Sequence, residues 1–94
     1  MCIGFFSLDL HLPGASSLKE KRRIIRSLKD RLVTRFHLSI AEIEYQELWQ
    51  RTRIGMVMIA GETAIVDRTF QAVRREVERL SPGEIVDFTV EYLT

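Results

Sequence analysis

Apolar residues in this chain recur first at every second position, then at helical spacing, then through two strand-like stretches, then at helical spacing again, and finally at every second position. That order leaves few folds open. Cys2 to Leu12 alternates, with Cys2, Gly4, Phe6, Leu8, Leu10 and Leu12 on one face and Ile3, Phe5, Ser7, Asp9 and His11 on the other. This is the period of a half-buried strand. Pro13-Gly14-Ala15 breaks it. Ser16 to Phe36 then reads as a helix, with Leu18, Ile25, Leu28, Leu32 and Phe36 forming one apolar stripe. Ser17 followed by Glu20 has the capping-box spacing of a helix start.

A second strand is expected over Phe36 to Tyr45, where the alternation slips between Ile40 and Ile43. A bulge or a locally two-sided strand accounts for the slip equally well. Gln46 to Arg51 connects it to a third strand, Thr52 to Ala60, which is apolar on both faces around Gly55 and so belongs inside a sheet. Val66, Phe70, Val73, Val77 and Leu80 mark a second helix from about Glu62, stopped by Ser81-Pro82-Gly83. The last strand is expected over Glu84 to Leu93, with Val86, Phe88, Val90 and Tyr92 inside. Strand, helix, strand, strand, helix, strand with right-handed crossovers has one compact solution: an α/β (α+β) ferredoxin-like sandwich. Four antiparallel strands form its sheet, both helices cover one face, and residues 1–94 make a single domain.

Charge is distributed unevenly over this frame. Lys19 to Arg35 holds eight basic and two acidic residues, a local charge of +6, while the other 77 residues sum to −5. At 100° per residue Lys19, Arg22, Arg23, Arg26 and Lys29 share an arc of about 120° next to the apolar stripe. Arg26–Asp30 and Glu20–Arg23 are the acidic pairings available at helical spacing, so most of the cluster has no partner. Lys19, Lys21, Arg22 and Arg23 also crowd the end of the helix where the macrodipole disfavours cations by a few tenths of a kcal/mol each. A solvated outer face is the ordinary role of such a run; the unpaired crowding points instead to an anionic partner.

Other chemistry is poorly supplied. His11 and His37 stand in no ligand spacing, and Cys2 is the sole cysteine, so neither a disulfide nor a cysteine metal cluster is expected. No P-loop, dinucleotide glycine pattern or nucleophile elbow is present. Glu42 and Glu44 share a face of the second strand and read as charges that protect a sheet edge. An acylphosphatase-like activity would need an arginine in the phosphate loop after the first strand, and Pro13-Gly14-Ala15-Ser16-Ser17 has none. The expectation is a non-enzyme with no catalytic residue, metal or cofactor. No apolar run approaches the ~20 residues that span a bilayer and no leader is apparent, so a cytoplasmic protein without a membrane partner is expected. Asn is absent and arginine outnumbers lysine eleven to three, which fits a heat-adapted source.

Two features remain for binding. The open sheet face, with Ile3 and Phe5 and a patch reaching Met56 or Val57, is suited to packing against another subunit. Phe5 lacks the matching aromatics on the third strand that base stacking across a sheet would need. Trp49, in Glu47-Leu48-Trp49-Gln50-Arg51, is either a cover over one end of the core or a stacking or interface anchor.

The chain resembles the YlxP-like family, a bacterial domain of unknown function. The resemblance is carried by His11-Leu12-Pro13-Gly14-Ala15 leading into Ser17-Leu18-Lys19-Glu20-Lys21-Arg22-Arg23, and by Trp49-Gln50-Arg51-Thr52 with Ile54-Gly55 just after. It implies a ferredoxin-like domain. It also implies a link to ribosome assembly or translation, because genes of the family often lie beside that of ribosome-binding factor A. The sequence therefore supports a binding protein that contacts structured, ribosomal RNA through Lys19, Lys21, Arg22, Arg23 and Arg26, with Lys29 extending the track and Trp49, Gln50 and Arg51 as a second contact. The alternative is an interaction module whose open sheet face, through Ile3 and Phe5, pairs with a second copy or a ribosome-associated protein.

Overall fold

The structure is a computed structural model that describes residues 1–93. Its elements run β1 (Cys2–His11), α1 (Leu18–Arg35), β2 (Ser39–Glu44), β3 (Arg51–Ala60), α2 (Thr63–Leu80) and β4 (Glu84–Tyr92). The strands form one antiparallel sheet in the order β2-β3-β1-β4. This is the ferredoxin-like arrangement, with β3 inside as its two-sided apolarity required.

Both helices pack on one face. The even positions of β1 from Cys2 to Leu10, except Gly4, place apolar side chains there beside Ile54, Met56 and Met58 of β3. Val66, Phe70, Val73 and Val77 of α2 and Leu28 and Leu32 of α1 close the core over them. Phe6, Phe70 and Phe88 form an aromatic cluster with ring centroids 4.5–6.3 Å apart and mostly edge-on, worth about 0.5–1.5 kcal/mol per pair beyond the area buried. Ser81 ends α2 in the left-handed conformation, its N–H donating to Val77 O, and Pro82 prevents continuation.

Several expectations need correcting, two of them because of bulges. In β2 the register shifts between Glu42 and Glu44. The slip in the alternation is therefore a bulge at Ile43, and it puts Glu42 and Glu44 on opposite faces of the sheet. In β4 a second shift pairs Asp9 with Asp87 but Leu10 with Ile85. Val86 is the extra residue and is exposed, while Ile85 takes the inward place assigned to it; Tyr92, in register with Gly4 at the end of the strand, donates its hydroxyl to Asp67 of α2 and stays partly exposed. Met56 belongs to the core and not to the open face. Gly55, by contrast, does face outward: a Cβ there would meet Phe5 and Ile43 at 3.1 Å, so its bare backbone is what lets both side chains lie across the sheet.

Candidate functional site

The first turn of α1 is built as its sequence indicates, with one exchange. The Glu20 N–H donates to Ser17 Oγ at 3.1 Å, but the Glu20 carboxylate accepts from the N–H and hydroxyl of Ser16, at 3.1 and 2.8 Å, instead of from Ser17. The Ser16 hydroxyl foremost holds the Glu20 carboxyl below its usual range. Glu20 is thereby engaged in capping and makes no ion pair with Arg23, and Arg26 makes none with Asp30. Lys19, Arg22, Arg23, Arg26 and Lys29 are all exposed, and among the described residues none of them pairs with a carboxylate. The flank of α1 toward α2 carries Ile24, Arg31 and Arg35, and Arg35 reaches Glu76 of α2 at 3.2 Å; Arg23 borders the same hollow, near Leu80 and Pro82. Helical geometry therefore places Arg23 on the outer side toward α2 and Lys19, Arg22, Arg26 and Lys29 on the outer side and the flank toward β2.

Lys21 does not belong with them. Its side chain is 1% exposed, and its ammonium lies 2.8 Å from Glu42 Oε2 while donating to Tyr45 O at 2.6 Å and to Gln46 O at 3.4 Å. The same Glu42 oxygen accepts from Thr52 Oγ1 at 2.6 Å. Three acceptors use the three donors of an ammonium, so Lys21 has no proton left for a phosphate. Glu42 faces inward in step with Ile40, and the bulge at Ile43 turns Glu44 away to the open face. The signal was present in the sequence: Leu18, Lys21, Ile25, Leu28 and Leu32 stand at three-four-three-four spacing, which places Lys21 on the apolar stripe.

The connection between β2 and β3 is held by this lysine and by Gln50. Tyr45 adopts φ 63°, and the Leu48 N–H closes the turn onto Tyr45 O at 3.0 Å. At the far end of the loop, Gln50 Nε2 donates to Ala15 O at 3.2 Å and Pro13 O at 3.4 Å, and Leu12 N donates to Gln50 O at 2.8 Å. The two stretches that carry the family resemblance thus meet at one end of the molecule. Gln50 is a strut between them. Trp49 is 53% exposed, with Leu48 beside it, which settles its placement: it does not cover the core.

Arg51 is also engaged within the protein, on the open face of the sheet. It grips Asp9 with two parallel bonds, Nε to Oδ1 at 2.7 Å and NH2 to Oδ2 at 2.8 Å, and Arg53 adds a third to Oδ2 at 3.1 Å while bonding Glu44 at 2.8 Å. Both guanidiniums lie over the Tyr45 ring, at 4.9 and 5.4 Å from its centroid. The Arg51 bonds foremost hold the Asp9 carboxyl below its usual range against the opposing effect of burial, with Arg53 assisting. The bonds to Asp9 in turn raise Arg51 and Arg53.

This network covers one end of the open sheet face, whose remaining polar groups include Asp87, Thr89 and Glu91. Its acids outnumber its two paired arginines. At the other end Ile3 borders an apolar hollow with Val57 and Ile59, and Ile59 is 67% exposed. Phe5 is half-buried across Gly55. Among the described residues no group of three or more His, Cys, Asp or Glu side chains could hold a metal ion, and no helix is long and apolar enough to cross a membrane.

Two matches among solved structures are of different strength. One is LarC2, the C-terminal domain of a cyclometallase involved in the synthesis of the NPN cofactor of lactate racemase. It aligns with a TM-score of 0.50 at 6% identity over 99% of this chain, which spans 55% of the LarC2 chain. The other, a dimeric ferredoxin-like protein from an uncultured marine organism, is 15% identical over 98% of this chain and 86% of its own, at a TM-score of 0.39. The first likeness shows the fold alone, and the second is too remote to carry an argument. In sequence, the uncharacterized protein YlxP of Bacillus subtilis (strain 168) is 35% identical over 71 residues, 76% of this chain and 77% of that protein. Residues 3–90 match the family described as a protein of unknown function, DUF503. The chain belongs to that family.

Proposed function

We propose that the protein is a non-enzymatic binding protein that contacts structured, ribosomal RNA through the exposed cations of α1. The observation that carries this reading is the freedom of Lys19, Arg22, Arg23, Arg26 and Lys29 on one continuous surface. Elsewhere Arg35 and Arg79 are engaged by Glu76 and Arg51 and Arg53 by Asp9, and the remaining exposed arginines without an ion pair among the described residues, Arg31, Arg68 and Arg75, are not part of this cluster. The acidic sheet face repels RNA, which favours the helical side of the molecule for the contact. Phosphate contacts set affinity and orientation, and the shape of the RNA supplies the preference.

The test is binding to a ribosomal RNA fragment across a salt series. Five phosphate contacts correspond to a slope of log affinity against log salt of roughly −3.5 to −4.5. The double variant Arg22→Glu, Arg26→Glu removes two contacts and brings the slope to about −2 to −3. An affinity unmoved by the double reversal would sink the proposal.

A second reading has its own observation. The apolar end of the sheet, where Ile59 stands exposed beside Ile3 and Val57, suits pairing with a second copy of the chain or with a ribosome-associated protein. Contact through this end leaves the α1 cations free, so the two readings are compatible.

A further inference from the structure

We propose that Trp49 stacks on an unpaired base of the RNA whose phosphates α1 holds, so that the target is a junction between a duplex and a single strand. The proposal rests on α1 being the phosphate-binding face and adds what that face is aimed at. An exposed indole on a floppy loop would carry little meaning, but this loop is tied at both ends. The buried Lys21 ammonium holds Tyr45 O and Gln46 O, and the Gln50 amide holds Pro13 O and Ala15 O. Both ties run to the first turn of α1 or to the segment leading into it, so the loop that carries the indole is anchored to the start of the helix that bears Lys19 and Arg22. Lys21 is thus a positioning residue for the loop that bears Trp49.

The neighbouring aromatic cannot do this work, because Tyr45 is covered by the guanidiniums of Arg51 and Arg53. Trp49 instead borders a hollow of about 570 Å³ lined by His11, Glu47, Leu48, Gln50 and Arg51. With the Gln50 amide nitrogen and the Arg51 guanidinium engaged within the protein, the His11 ring, the Glu47 carboxylate and the Gln50 amide oxygen remain for the edge of a base whose face lies on the indole. Bases within a continuous duplex present no free face, whereas an unpaired nucleotide does. The five free cations on the adjoining helix favour a polyanion over an apolar protein segment as the occupant.

Trp49 is the sole tryptophan, so its fluorescence reports the contact directly. The probes are a blunt RNA duplex of about 20 base pairs and the same duplex with an unpaired tail of about six nucleotides. The tailed RNA should quench the fluorescence and the blunt one should not. Trp49→Ala should weaken tailed binding by about 5- to 150-fold, leave blunt binding unchanged and preserve the salt slope. Trp49→Phe should recover part of the loss. Equal affinity of Trp49→Ala for the tailed RNA, or equal quenching by the blunt duplex, would overturn the stacking role while leaving the α1 reading intact. If the protein binds neither RNA at low salt, both fall together.

Discussion

Lys21 provides the sharpest test of how this structure is held. An ammonium that is 1% exposed loses several kcal/mol of hydration, which is offset by Glu42 at 2.8 Å and by the carbonyls of Tyr45 and Gln46. Lys21→Met keeps most of the volume but leaves Glu42 with Thr52 alone, the Gln46 carbonyl without a donor and the Tyr45 carbonyl with only the Leu48 N–H. Removing one member of a buried pair costs about 3–5 kcal/mol. Glu42 is 20% exposed and can draw on water, so the lower end, about 3 kcal/mol, applies here. For a domain of this size each kcal/mol moves the midpoint by about 4–8 °C, so Tm should fall by about 12–24 °C.

Urea unfolding of Lys21→Met, Glu42→Gln and the double variant measures this. The double variant should lose less than the sum of the singles, with a coupling of about 1–3 kcal/mol. The salt slope of RNA binding by folded Lys21→Met should match that of the parent, because this lysine touches no phosphate. A loss under about 0.5 kcal/mol, the behaviour of a surface residue, or strict additivity would refute the buried-pair account.

Two more outcomes follow from the sheet face. Asp9 has a folded pKa below its unfolded value, so its contribution is complete above about pH 4 and disappears as pH falls through the folded pKa. Asp9→Asn should therefore lose about 1–2 kcal/mol near neutrality and converge on the parent in acid; a deficit independent of pH would exclude the Arg51 and Arg53 bonds as its cause. If the apolar end of the sheet pairs two copies, the parent should sediment as a dimer at about 100 μM, where a micromolar interface is filled, and Ile59→Glu should sediment as a monomer. A monomeric parent at that concentration would remove the homomeric form of the second reading.

How much of this was legible beforehand depended on how local the determining physics is. The element order, the ferredoxin-like topology, the interior place of β3 and the stop at Ser81-Pro82 all follow from periodicity and backbone chemistry within a few residues, and all hold. The free cations of α1 were legible too, because helical geometry alone groups Lys19, Arg22, Arg23, Arg26 and Lys29. Lys21 was misassigned because residue type outweighed position: a lysine in a basic run reads as exposed unless its place on the stripe is taken seriously.

What only the tertiary structure decided lies between segments far apart in the chain. A bulge shifts one strand against its neighbour, and nothing within the strand says that Ile43 or Val86 is the residue left unpaired. Glu42 and Glu44 therefore parted to opposite faces. The Asp9 clamp depends on a β1–β3 register that sets Asp9 opposite Arg53 across more than 40 intervening residues, and the role of Gln50 depends on two loops meeting. Periodicity determines which face of a segment is apolar; it carries no information about which polar side chain will be waiting on the segment it packs against.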